Sequence, residues 1–308
     1  MPRFRTKFNS LFTLSTLTFI AILLCGCSSS NNSTNATTTL PPIRLNPVQV
    51  MPVPLDTISL SPPLFNGGVW VLSGNSSSKS ITEYGLADGK KLNIVPVNKN
   101  AVAISSDGIA EVIIGIAGPN NTGALEFYNG LTGAFEGTLP LPDPVKMISS
   151  TTSAGSLLVL LTTNLVRSVA VINMATKDIS KIIPVSDGTL SISNGRDPST
   201  FFALQNNQTV QSISLNSGQI ESYINLQQPG INLALSNDEN VLLVLKCSVN
   251  FCNIALVNTS TDEIYNTLPA PLDCIGLELS SDGNTIYDLV DTHSSSNIQS
   301  YNVATYIQ

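Results

Sequence analysis

Residues 277–291 read LELSSDGNTIYDLVD: a short apolar segment, a Ser-Ser-Asp-Gly turn, and a second apolar run. Asp-Gly between two β-prone segments is a hairpin signal. Variants of the phrase recur along the chain. Aligning the serine that ends each first segment gives Ser61, Ser105, Ser149, Ser193, Ser236 and Ser280, with steps of 44, 44, 44, 43 and 44. A near-constant period of that length marks a repeat architecture.

The second unit shows the internal pattern. Val102–Ser105 leads to a Ser106-Asp107-Gly108 turn, then Ala110–Ile116, Ala124–Tyr128, a turn at Leu131-Thr132-Gly133, and Phe135–Leu139. Central runs such as EVIIGI, SLLVLL and VLLVL predict strands covered on both faces. Four short strands per unit, arranged radially, make an all-β fold: a β-propeller. Only 28 residues follow Ser280, so the sixth unit lacks its last strand. The missing piece stands at the front, where Val48–Ser61 matches Ile264–Ser280 through Pro-x-Pro-Leu-Asp. Residues 45–308 number six times 44. A six-bladed propeller is expected, its N-terminal strand closing the last blade and leaving no open edge.

Composition sets the surface chemistry. Charged residues are 11% of the 308, against roughly 25% in typical domains, while hydrophobic residues reach 42%. Polarity must come from Asn, Ser, Thr and Gln. Of 14 basic residues, Arg3, Arg5 and Lys7 lie in the leader; the remaining 11 face 21 acidic ones, a formal charge of −10. Such a surface repels phosphate backbones, and nucleic acid is not an expected partner.

Residues 1–27 begin with basic residues and continue as an apolar run from Leu11 to Leu24, short for a spanning helix. Leu24-Cys25-Gly26-Cys27 follows directly and resembles the bacterial lipoprotein signal. The resemblance implies a signal peptide over 1–26, cleavage before Cys27, and acyl chains on Cys27 as a membrane anchor. Cys25 would leave with the leader. Ser28 after the modified cysteine implies the outer membrane in a Gram-negative host. The Asn/Ser/Thr-rich remainder of 27–44 reads as a flexible tether.

The Ser-x-Asp-Gly turn and VAVINMATKDISKIIPV (residues 169–184 and Val185) resemble the YVTN/YncE-like propeller repeats of bacterial surface and periplasmic proteins. Here Ser106, Asn237 and Ser281 replace the family's proline, and that family often has seven blades. The resemblance implies a binding platform in the cell envelope more than an enzyme. WD40 dipeptides, quinone-propeller tryptophan motifs and sialidase Asp-box spacing are absent.

Few residues could carry chemistry. His293, with Asp288 and Asp291, makes one weak metal-like segment. Asp107, Asp238 and Asp282 read as turn formers. Cys247 and Cys252 flank a predicted hairpin tip, where opposed residues approach closely enough for a disulfide in an exported protein. Cys274 is then a buried free thiol; its pairing with either of the others is the alternative. The links from each fourth strand to the next first strand carry Asp56, Asn100, Asp143, Asp187 and Asp273, with Gln228 in the fifth. This collar would ring the channel mouth and attract Ca²⁺ or a cationic group.

The leading expectation is a non-enzymatic lipoprotein binding a protein, peptide or surface polymer, with no cofactor. The loops Gly74–Ser80, Pro119–Gly123 and Asn206–Gln208 would help form its binding face. A Ca²⁺-dependent six-bladed hydrolase or lactonase is the alternative, and a purely structural envelope protein the third. Mass spectrometry of the mature N-terminal peptide should find acylated Cys27, and Cys27→Ser should release the protein from membranes; an unmodified Cys27 refutes the anchor.

Overall fold

The computed structural model describes residues 46–306 other than 152–154, 164–165, 196, 237, 281, 293 and 304–305. The leader, Cys27, the tether, Asn237, Ser281 and His293 therefore lie outside the described residues. The chain forms six four-stranded antiparallel sheets. Sheets adjacent in sequence touch through their first strands, and the first strand of blade 1 touches that of blade 6, so the ring closes. The expected six-bladed β-propeller is the observed fold.

Each blade runs outward from the channel. In blade 2 the strands are Ala101–Ser106, Glu111–Ala117, Gly123–Asn129 and Phe135–Leu141. Second strands such as Glu111–Ala117 and Ser156–Thr162 are buried along nearly their whole length, because a blade packs on both of its faces. Fourth strands such as Lys91–Val97 alternate exposed and covered residues, as an outer edge should. Six apolar clusters form the core, one in each gap between neighbouring blades.

Blade 6 is built from both ends of the fold. Its first three strands are Cys274–Leu279, Thr285–Asp291 and Ser296–Asn302; its fourth is Gln49–Val53, paired antiparallel from Gln49 opposite Ser300 to Val53 opposite Ser296. The equivalent strand of blade 5 is Glu263–Ala270, so the two Pro-x-Pro-Leu-Asp segments occupy equivalent places.

One detail of the repeat differs from the serine alignment. Every first strand carries a bulge one residue after its start, at Ile58, Val102, Lys146, Leu190, Ile231 and Ile275. The steps between these residues are 44, 44, 44, 41 and 44. The aligned serine stands three residues after the bulge in blades 1 to 4, but five after it in blades 5 and 6. A shift of two keeps the side chain on the same face of the strand. It also keeps the bond that serine makes. Ser61 and Ser149 Oγ accept the N–H of Trp70 and Leu158 at 3.1 and 3.2 Å; Ser236 and Ser280 Oγ accept those of Val241 and Thr285, both at 2.9 Å.

Within blades 1 to 4 hydroxyls also tie one blade to the next. Ser106 Oγ donates to Pro62 O at 2.8 Å, Ser105 Oγ to Ser149 O at 2.7 Å, and Ser149 Oγ to Asn194 Oδ1 at 3.3 Å. Such bonds need no ion pairs, which accounts for the low charge content.

Met51 of the closing strand is 1% exposed and packs with Leu60, Val69, Val71, Tyr287 and Leu289 between blades 6 and 1. Truncation there leaves a cavity at the closure. Met51→Ala should lower unfolding free energy by about 2–5 kcal/mol in a urea titration; an unchanged midpoint would show that the closing strand does not support the ring.

Candidate functional site: the central channel and the collar face

Because strands in a blade alternate direction, the turns between second and third strands share one end of the ring with the links from fourth to first strands. The turns Gly74–Ser80, Pro119–Gly123 and Asn206–Gln208 all lie at that end. The links are anchored there by backbone. Asp56 O, Asn100 O, Pro144 O, Gly188 O, Pro229 O and Asp273 O each accept an N–H from the end of the second strand of the blade they enter. Close approach is needed at Gly123, whose absent Cβ would stand 1.9 Å from Asp143 O of the next blade.

These equivalences alter the collar. Asp56, Asn100 and Asp273 share one position, whereas Asp143, Asp187 and Gln228 stand one residue earlier. Asp56, Asp187 and Asp273 are exposed. Among the described residues, no three His, Cys, Asp or Glu side chains come together to hold a metal ion. The carboxylates therefore ring the mouth without converging on one point. Asp288 and Asp291 do not converge either: they are three apart on one strand and face opposite sides of the sheet. Asp291 Oδ1 accepts the Ser296 hydroxyl at 3.1 Å.

The turn aspartates do what short acidic side chains do in turns. Asp107 Oδ1 accepts the N–H groups of Ile109, Ala110 and Glu111, each at 2.8 Å. Hydrogen bonds from Ser236 and Ser280 hold the carboxyls of Asp238 and Asp282 below the usual range.

Cys247 and Cys252 stand opposite one another across the blade 5 hairpin and are joined in a disulfide, with Cα atoms 4.1 Å apart. Cys247 Sγ lies 3.9 Å from Cys274 O in the first strand of blade 6. Cys274 is a free, buried thiol, and burial raises its pKa, which makes it unreactive.

The six first strands enclose a cavity of 310 Å³ along the ring axis. The bulge residues line it, and five of the six are apolar; the exception is Lys146. Lys146 Nζ donates to Thr189 O at 3.3 Å, and the Arg167 guanidinium donates to the same oxygen. Burial, then the nearby Arg167, lowers the Lys146 pKa. Three residues beyond the bulge stand Ser61, Ser105, Ser149, Ser193, Ala234 and Glu278. Glu278 lines the cavity, walled in by protein although water reaches its edge, and burial pushes its carboxyl up to about 8. No described residue hydrogen-bonds to it.

A second acid is enclosed nearby. The column Val71, Ile114, Val159, Ala203, Val244 and Asp288 faces the preceding blade, so Asp288 points into the gap between blades 5 and 6. It is 1% exposed, neither carboxyl oxygen has a partner among the described residues, and burial raises its pKa to about 8.

The alignment could have shown Lys146, three residues before its serine where Ile58, Val102 and Leu190 stand. Asp288 stands near His293 in sequence, and its own signal is that it interrupts an otherwise apolar second strand. Glu278 was hidden by the two-residue shift of the serine.

No family model and no curated protein matches the chain. Among solved structures it is similar to Kuenenia stuttgartiensis hydrazine synthase, with a TM-score of 0.62 and 13% identity over 80% of this chain and 84% of that one. The likeness is one of fold. It extends over 1642 solved chains, so it selects no activity.

Asp288 supplies a pH test. Its carboxyl ionises near 4 in the unfolded chain and about 8 in the folded one, so between those values the folded state holds a proton that the unfolded state releases. Stability should therefore fall as pH rises from 4 to 8, by up to about 1.4 kcal/mol per unit from this group. Asp288→Val, the residue of three sister blades, should flatten that slope and raise the melting temperature at pH 8. An equal slope in the variant would refute the assignment.

Proposed function

We propose that this chain is a lipid-anchored envelope protein that holds a protein partner on the collar face of its propeller, without catalysing a reaction. The observation that carries this reading is an exposed apolar patch spanning blades 5, 6 and 1. Leu55 and Leu272 of the two Pro-Leu-Asp links are 57% and 50% exposed; Val249 and Phe251 of the disulfide-closed turn are 94% and 48% exposed. Ile231, Ile275 and Ile58 of the bulges continue the patch to the channel mouth. On the opposite face the exposed large apolar residues, among them Phe65, Ile109, Leu131 and Phe135, are spread over the turns of several blades. An apolar centre with a polar rim is how protein interfaces are built.

Charge indicates the partner. Asp56 and Asp273 adjoin the patch, and the chain without its leader is strongly acidic. A segment with apolar side chains flanked by lysine or arginine is complementary to such a surface. The disulfide closes a turn of only a few residues, so Val249 and Phe251 are presented with little entropy left to lose. The leader motif and the YncE-like turn support the envelope location and the binding role.

A pull-down from envelope extract should enrich one protein with the wild-type chain, and lose it with Phe251→Ser and Leu272→Asp combined. Raising salt should weaken capture further. Equal capture by the variant removes the patch from the function, and no enriched protein removes the binding role.

A further inference from the structure

We infer that the central channel is a second binding site, for a small zwitterion of the amino-acid type, its carboxylate on Lys146 and its ammonium on Glu278. A volume of 310 Å³ falls within the range of small-molecule pockets and exceeds what a single ion requires.

Three features of the walls carry the inference. Lys146 is the one charged member of the bulge ring, and it and Arg167 turn their donors on the single oxygen of Thr189. Neither cation makes an ion pair among the described residues. Two adjacent cations sharing one neutral acceptor favour a nearby anion, and a carboxylate or similar group at the mouth would accept from Lys146 with its charge matched. Glu278 belongs to blade 6, three blades from Lys146 in a ring of six, and so stands on the opposite wall. It also lies further along its strand. At that level Ser105 and Ser149 spend their hydroxyls on neighbouring blades, whereas Glu278 has no such bond. An enclosed carboxyl without a partner is costly unless something else supplies donors. The accessible wall of the cavity is mostly polar, with Val102, Leu190, Ile231 and Ile275 giving it apolar flanks at the level of Lys146. A small polar molecule with opposite charges at its two ends fits that arrangement.

Isothermal titration calorimetry on the full-length chain in detergent tests it, with the common amino acids, acetate and ethylammonium as probes. At least one amino acid should bind saturably, and more tightly than acetate or ethylammonium. Lys146→Leu and Glu278→Ser, which install the residues of sister blades, should each weaken it by about tenfold or more while leaving the melting transition cooperative. Glu278→Gln gives the same comparison with side-chain volume kept. No saturable binding of any amino acid, binding unmoved by all three substitutions, or acetate binding as tightly as the best amino acid would overturn the inference.

Discussion

The pairing of Gln49–Val53 with Ser296–Asn302 is the interaction on which the rest depends. A ring of blades has no end only if its last sheet is finished by the other end of the chain. Without that strand, blade 6 would present a bare edge of backbone donors and acceptors, and Met51 would leave the gap it fills beside blade 1. The channel exists because six first strands are held in a circle, and the collar face exists because their links are held level with one another. Both follow from closure.

The interior is joined by means that suit so uncharged a chain. Apolar side chains fill the gaps between blades, and serine hydroxyls bond from blade to blade beside the channel. Blade 6 departs from this twice. Glu278 stands where four sister blades have serine, and Asp288 where the others have valine, isoleucine or alanine. Burial favours the protonated form of both. The closing blade thus carries enclosed acids that the repeat does not require, one on the channel and one in the gap toward blade 5.

Much of the fold was legible because periodicity constrains it from several directions at once. The serine steps gave the number of blades, and the duplicated Pro-x-Pro-Leu-Asp gave the closure. Cys247 and Cys252 were readable as a pair because a hairpin tip brings its flanks together. The functional surface was less legible. The collar aspartates looked equivalent in sequence, but an insertion of one residue in a link turns a side chain elsewhere without disturbing the turn. The patch formed by Leu55, Ile58, Phe251, Leu272 and Ile275 combines residues more than 200 positions apart, and only the ring makes them neighbours. Lys146 already breaks the apolar column three residues before the repeated serine, whereas Glu278 could be singled out only once the bulges fixed the true register.

The split blade has a consequence for the order of events in making the protein. Gln49 leaves the ribosome about 250 residues before Ser300, the residue it will face. Blades 1 to 5 can each form from contiguous chain as it emerges, but Gln49–Val53 must wait, exposed, for Ser296–Asn302. Loop closure over that distance is slow compared with hairpin formation. A chain interrupted anywhere short of blade 6 therefore carries an unpaired strand at its front, which marks it as unfinished to any factor that binds extended backbone.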